Sequence, residues 1–129
     1  MNMRIALLSL GLFALSTGVA TAQTPRTGKI MREKLAHSQR ILEALTTSNQ
    51  ELLVRETDAL SRIAKSPQWT ADLRTPEMRG YAERFLKAVA DLTAAAGRRD
   101  LDAAALDYNA LTTSCYQCHK RLKDTRIAR

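Results

Sequence analysis

The stretch Thr112–Lys123, TTSCYQCHKRLK, contains both cysteines of the 129-residue chain and one of its two histidines. Cys115 and Cys118 are three residues apart, and His119 follows the second cysteine directly. On an α-helix, residues three and four apart project toward nearly the same face. The three side chains can act together on one ligand if this stretch is helical, so it predicts a helix near the end of the chain.

The composition favours helices in the rest of the chain as well. Five glycines and three prolines are few for this length, β-branched runs are absent, and the strong helix formers Ala, Leu, Glu, Lys and Arg dominate. We therefore expect an all-α protein.

Residues 1–22, MNMRIALLSLGLFALSTGVATA, have the pattern of a secretory signal peptide. Arg4 precedes an apolar run, and small residues end the segment at Ala22. The apolar run of about a dozen residues is shorter than the roughly 20 that a membrane-spanning helix needs. We expect cleavage after Ala22, a periplasmic protein without a membrane span, and one mature domain over residues 23–129.

The mature chain carries a moderate positive charge. Once Arg4 is removed, 19 basic residues remain against 13 acidic ones, and they are spread along the chain. Such a spread, together with export, argues against nucleic-acid binding. A mildly basic surface suits an acidic protein partner better.

Four segments have the periodicity of amphipathic helices, at about 28–46, 48–65, 76–97 and from 100 onward. A loop that carries the only tryptophan, Trp69, separates the two halves. Short connections on either side of this longer loop favour an antiparallel four-helix bundle with up-down-up-down order.

Local signals predict where these helices end and which faces they bury. Ser48 with Glu51 three positions later resembles a capping box, and Gly97 is the expected C-cap of the third helix. The first helix is expected to bury a stripe of residues spaced three and four apart: Met31, Leu35, Ser38, Leu42 and Leu45.

Cys-x-x-Cys-His is the attachment signal for c-type haem, in which two thiols form thioethers with the porphyrin and the histidine binds the iron. Disulfide oxidoreductases also use Cys-x-x-Cys, but in a βαβ context that this sequence does not provide. A zinc site would need His37 as a fourth ligand, and adjacent ligands such as Cys118 and His119 rarely close one tetrahedron. A structural disulfide between the two cysteines would close almost no loop. The favoured interpretation is one covalent haem held by Cys115, Cys118 and His119.

A signal peptide, four helices and a single Cys-x-x-Cys-His ten residues before the chain end resemble the cytochrome c-prime family of class II c-type cytochromes. The likeness covers the whole mature chain, and CYQCH is its specific part. In that family an aromatic and a basic residue usually follow the motif. The matching positions here are Leu122 and Lys123, so only the basic residue is kept. The resemblance implies haem c as the cofactor, and an electron carrier rather than an enzyme.

The resemblance also implies two variants of the sixth iron position. The iron is either five-coordinate and faces an apolar residue of the first helix, or it is bound by a methionine near the start of that helix. Met31 matches the methionine of the second variant, and thioether ligation suits electron transfer because it raises the potential. Leu35 and Gln39 are expected to line the distal side in both variants. The alternative function is binding or sensing of nitric oxide or carbon monoxide at an open position.

Two expectations concern protein partners. A basic cluster follows the motif and is expected to steer an acidic redox partner: Lys120, Arg121, Lys123, Arg126 and Arg129. Members of the resembled family often pair through helices 1 and 2. Exposed Leu52 and Val54 are expected to supply an apolar patch for such a homodimer.

Overall fold

The computed structural model describes residues 25–71 and 73–127, with side chains over 26–71 and 73–125, and these ranges contain helices and no strand. The predicted all-α class is confirmed. The predicted signal peptide, residues 1–22, lies outside the described residues. Within them, no helix has the length and apolarity needed to cross a membrane. The helices are α1 (Pro25–Thr46), α2 (Gln50–Lys65), α3 (Pro67–Thr70), α4 (Pro76–Gly97) and α5 (Leu101–Ile127).

The four long helices form the predicted antiparallel, up-down-up-down bundle. Three residues connect α1 to α2, and three connect α4 to α5, and connections this short make neighbouring helices antiparallel. α1 packs on α2, α2 on α4, and α4 on α5 along most of their lengths. α1 and α5 are also neighbours but approach each other over far less of their length.

Antiparallel order brings segments that are distant in sequence to one end of the bundle. The start of α1, the whole of α3, the start of α4 and the C-terminal part of α5 share this end, which we call the motif end. Arg121 donates from Nη2 to Glu77 Oε2 at 3.0 Å and joins α5 to α4 there. Trp69 of α3 is buried at this end and donates from Nε1 to the Ala64 carbonyl at 3.0 Å.

The interior is filled by aliphatic side chains from all four long helices. The largest apolar side chains under 2 % exposed are Ile41, Leu53, Leu60, Leu92 and Leu111. Truncating residues of this kind to alanine typically costs about 2–5 kcal/mol. The four helices therefore share one core.

The buried face of α1 differs from the predicted stripe. Leu35 and Leu42 are 58 % and 47 % exposed, whereas Ile41, which borders the predicted stripe, is fully buried. At about 100° per residue, the predicted stripe is centred about 80° from Ile41. Ser38, a member of that stripe, donates to the Tyr108 hydroxyl of α5 at 3.4 Å. The prediction that the stripe faces the core is therefore wrong for Leu35 and Leu42, because the centre of the stripe lies on the edge of α1 that faces α5. Met31 and Leu45 are partly buried and still pack against the core.

The turn between α1 and α2 is one residue out of the predicted register. Asn49, not Ser48, is the N-cap of α2, and its side chain accepts from the Leu52 N–H at 3.0 Å. Ser48 has a left-handed backbone with φ 54°. Its N–H bonds the Leu45 carbonyl, while the Asn49 N–H bonds that of Ala44, which is a Schellman motif. The predicted capping box at Ser48 is wrong because Ser48 terminates α1.

The end of α4 repeats this arrangement, and the predicted C-cap at Gly97 is wrong. Gly97 is the last helical residue, while Arg99 has the left-handed backbone, with φ 60°. Asp100 then caps α5, and its side chain accepts from the Ala103 N–H at 3.0 Å. As at Ser48–Asn49, the left-handed residue directly precedes the side chain that caps the next helix. The position of that cap, rather than the position of glycine, determines where the helix stops.

Gly97→Ala and Arg99→Gly are both expected to stabilise the protein. A Cβ at position 97 meets no atom within 4 Å, and alanine is favoured over glycine inside a helix by about 0.5–1 kcal/mol. Glycine at position 99 removes a left-handed strain of about 1 kcal/mol. Urea unfolding followed by circular dichroism measures both changes. If Gly97 held the left-handed position, Gly97→Ala would lower stability instead.

The predicted dimer patch is also corrected. Leu52 is 6 % exposed and belongs to the core, and Val54 is partly buried against it. The prediction that these two residues form an exposed apolar patch is therefore wrong. Pairing through α1 and α2 stays a prediction without these residues at its centre.

Candidate functional site

The three motif residues lie within little more than one turn of α5, at the motif end. Both cysteines are free and partly buried, and the His119 imidazole is exposed. Cys115 and His119 follow Tyr108 by seven and eleven residues, so they share its side of the helix. Because Tyr108 contacts α1 through Ser38, the motif residues lie on the edge of α5 that faces α1.

Met31 lies at the level of the motif on the facing helix. The Ser38–Tyr108 hydrogen bond sets the register of α1 against α5. Moving seven residues back along α1 and seven forward along α5 keeps the same level in an antiparallel pair. This step pairs Met31 with Cys115. Met31 is partly buried and packs against the core.

The other predicted binding residues are more exposed. Leu35 and Gln39 follow Met31 at one-turn and two-turn spacing, and both are exposed. Lys123 is exposed on α5, one turn after His119. Met31 and Leu35 border the seam between α1 and α5 on one side, and the motif residues border it on the other. We call this seam the α1–α5 groove. Leu35, Gln39 and Lys123 lie at the outer rim of this groove.

The structure adds Lys34, which the sequence pattern did not single out. This residue of α1 is partly buried, and its Nζ lies 3.8 Å from the ring centroid of Trp69 and 3.7 Å from that of Phe85. The two rings are buried and meet edge to face, with centroids 5.6 Å apart. The spacing of Lys34 could have indicated its burial, because Lys34 lies four residues after Ile30 and seven before Ile41, in the middle of the buried face of α1.

The electrostatics of the groove couple Lys34 to the two thiols. Burial lowers the pKa of Lys34 to about 8, and the negative charge of ionised Cys115 and Cys118 opposes this shift. Burial raises the pKa of both thiols, and Lys34 opposes that shift in turn. Contact with two aromatic faces further favours the charged ammonium. At neutral pH the groove therefore holds a cation beside two protonated thiols.

A separate polar cluster joins α1 to α2, around the buried carboxylate of Glu56. This carboxylate accepts from His37 Nδ1 at 2.7 Å and pairs with Arg40 Nε at 3.0 Å and Arg55 Nε at 3.3 Å. Burial by itself raises the pKa of Glu56, but the hydrogen bonds from His37, Arg55 and Arg40 outweigh it and leave the pKa below its ordinary value. The sequence pattern did not identify Glu56, because its partners on α1 are sixteen and nineteen residues away.

His37 therefore faces α2 and not the α1–α5 groove. Among the described residues, no three or more His, Cys, Asp and Glu side chains come together in a group that could hold a metal ion. The zinc site that would have combined His37 with Cys115, Cys118 and His119 gains no support from this geometry.

Glu56→Gln is expected to lower the free energy of unfolding at pH 7 by about 1–3 kcal/mol, because charge-assisted hydrogen bonds to a buried group are lost. Since the folded-state pKa is below the unfolded value, this stabilisation is complete above the unfolded pKa and disappears as pH falls through the folded pKa. The difference between wild type and variant should therefore shrink in acid.

Urea unfolding from pH 7 down to about pH 3 measures this difference. Glu83→Gln is the matched control, since Glu83 is exposed on α4 and should show little change. A loss in Glu56→Gln that stays constant over the whole pH range would contradict the assigned ion-pair role.

The residues around the α1–α5 groove fit a flat apolar group that is fixed by two thiols and one imidazole. Cys115, Cys118 and His119 provide the donor set of c-type haem on one helix. The buried rings of Trp69 and Phe85 give the motif end an apolar interior. α1 and α5 have only limited contact with each other along the edges that these residues border.

Comparison with known proteins gave no match: no protein-family model, no curated protein and no solved structure was identified as similar to this chain. The resemblance to the cytochrome c-prime family stays a prediction, based on CYQCH and on the order of the helices.

Proposed function

We propose that the protein is a periplasmic monohaem c-type cytochrome of class II that carries electrons. The observation that supports this proposal best is the placement of Cys115, Cys118 and His119 on the edge of α5 that faces α1, beside the least closely packed pair of neighbouring long helices. The two thiols would hold the haem as thioethers, and the imidazole would bind its iron. A haem held there supplies one-electron oxidation and reduction.

The environment of the two thiols suits a chain that must keep them reduced until attachment. Thiolates, not thiols, are the reactive form of cysteine, and burial raises the pKa of Cys115 and of Cys118. Protonated thiols form disulfides more slowly in an oxidising compartment. A disulfide within one helical turn would also require the helix to distort.

We assign Met31 to the sixth iron position. Its level opposite Cys115 and its partial burial on the facing edge of α1 support this assignment. A thioether ligand raises the reduction potential, which suits an electron carrier. Leu35 and Gln39, at the rim of the groove, would limit the approach of water to the distal side.

The distribution of charge favours an acidic redox partner that docks at the motif end. Residues 26–36, 58–71, 73–86 and 113–125 form the half of the bundle with the motif and contain twelve basic and five acidic residues. Residues 37–57 and 87–112 form the other half and contain five basic and seven acidic residues. Such an asymmetry orients an acidic partner toward the haem-binding end, and the association rate should fall as salt rises.

Production of the full chain in a bacterium that attaches c-type haem tests the proposed function. The exported protein should be coloured and show the alkaline pyridine spectrum of a thioether-linked haem. A chain without residues 1–22 stays in the cytoplasm and should carry no covalent haem, which makes it the matched control. An exported, folded and colourless protein would contradict the proposal.

A further inference from the structure

We propose that Lys34 binds a carboxylate of the prosthetic group, so that the chain recognises the propionates of a porphyrin as well as its ring and iron. This inference rests on the proposed function, because it names a contact within the same groove. It concerns a residue of α1 that lies outside the Cys-x-x-Cys-His motif and its iron ligands.

The first observation concerns the surroundings of Lys34, a partly buried lysine of α1. Among the residues whose side chains the structure describes, no carboxylate lies within ion-pair distance of its ammonium. Lysine is among the residues that are least often buried unless they are paired. The faces of Trp69 and Phe85 stabilise the ammonium, but contacts of this kind replace only part of its hydration.

The second observation is the position of Lys34 relative to the residues that would hold the haem. Lys34 follows Met31 by three residues, so the two share one side of α1. Its ammonium lies on the rings of Trp69 and Phe85 at the motif end, where Cys115 and Cys118 also lie. The positive charge of Lys34 is therefore at the same end of the bundle as the groups that would hold the haem.

The chemistry of lysine matches the two carboxylates that a haem brings with it. An ammonium has three donors and no acceptor. It can keep its contact with the aromatic faces and still donate to a carboxylate oxygen. A carboxylate of the porphyrin would supply a counter-charge, and the desolvation cost of Lys34 would then be offset by a charge-assisted hydrogen bond.

Two other roles for Lys34 make different predictions. If its aliphatic stem only covers the rings of Trp69 and Phe85, the charge is unimportant. If its amine binds the iron, the carboxylates of the porphyrin are unimportant. A pair of porphyrins with and without free carboxylates separates these roles from the proposed one.

The test is a titration of the cofactor-free mature chain with iron mesoporphyrin and with its dimethyl ester. Mesoporphyrin has ethyl groups in place of vinyls, so thioethers cannot form and binding is reversible. The ester has the same ring and iron but no free carboxylate. Dissociation constants are read from the absorbance of the bound porphyrin for wild type, Lys34→Met and Lys34→Arg. Lys120→Met is the control, since Lys120 is exposed on α5.

Lys34→Met should weaken binding of the free acid about tenfold, as expected for the loss of one charge-assisted hydrogen bond. Binding of the ester should change less than about twofold. Lys34→Arg should stay near wild type with both porphyrins, as should Lys120→Met. Circular dichroism verifies the fold of each variant, and Lys34→Gln is the second uncharged variant if Lys34→Met does not fold.

If Lys34→Met weakens the binding of both porphyrins equally, the inference is overturned, since Lys34 would then act through the iron or through packing. If Lys34→Met weakens the binding of neither porphyrin, the inference is overturned as well, because the charge of Lys34 would then be unimportant. Failure of folded wild type to bind either porphyrin would instead overturn the proposed function, and the inference with it.

Discussion

Replacing both Cys115 and Cys118 with alanine is expected to remove all covalently bound haem from the exported protein. They are the only thiols in the chain, so no other side chain can form a thioether in their place. The helical bundle should persist, because both cysteines are only partly buried and the largest core side chains come from other positions. Haem-peroxidase staining after denaturing electrophoresis measures the remaining covalent haem.

Tyr116→Phe is the matched control for this double substitution. Tyr116 lies between the two cysteines and is exposed, so its variant should stain like wild type. Circular dichroism verifies that the double variant is still helical. Staining that persists in the folded double variant would contradict attachment through this motif.

Met31→Ala is expected to change the spin state of the haem iron. If the Met31 sulfur binds the iron, the wild-type protein is low-spin when reduced and binds carbon monoxide slowly, because a bond must break first. Removing the sulfur opens that position while His119 keeps the other one. The variant should then be high-spin and bind carbon monoxide readily, which absorbance and rapid mixing measure.

Folding must be checked before that spectrum is interpreted, because replacing a core methionine with alanine typically costs about 2–5 kcal/mol. Met78→Ala is the matched control, since Met78 is a partly buried methionine on α4 and its loss should leave the spectrum unchanged. A wild-type protein that is already high-spin and binds carbon monoxide at once would contradict Met31 ligation. It would favour the alternative function, binding or sensing of nitric oxide or carbon monoxide.

The order of the helices could be predicted from the sequence because each helix carries its own periodic and terminal signals. The face of α1 could not, because periodicity treats every leucine as a core residue and every lysine as a surface residue. Leu35 and Leu42 lie on the α5-facing edge, whereas Lys34 occupies the buried face and places its ammonium on two aromatic rings. A half-buried edge beside a groove and a central buried face have similar patterns in a sequence.

The helix ends show a second limit of prediction from local sequence. Glycine is the residue that most readily takes a left-handed backbone, so Gly97 is the natural candidate for the end of α4. The structure gives that conformation to Arg99, because Asp100 caps α5 from the next position. Two short-range preferences compete here, and the cap of the following helix prevails.

The candidate site, too, could be predicted from the sequence only in part. Cys115, Cys118 and His119 are close together in sequence, so their chemistry and shared face could be predicted from the spacing of the motif alone. The interactions of Lys34 depend on Trp69 and Phe85, which come from two other helices. Contacts between distant segments depend on how the helices pack, which no local pattern contains.

The central claim, that the chain carries one haem on Cys115 and Cys118, is tested most directly by mass spectrometry of the exported protein in denaturing solvent. We predict one species with the mass of residues 23–129 plus one haem. After proteolysis, the haem should remain on the peptide that contains both cysteines. A folded, exported protein with the mass of the polypeptide alone would contradict the claim.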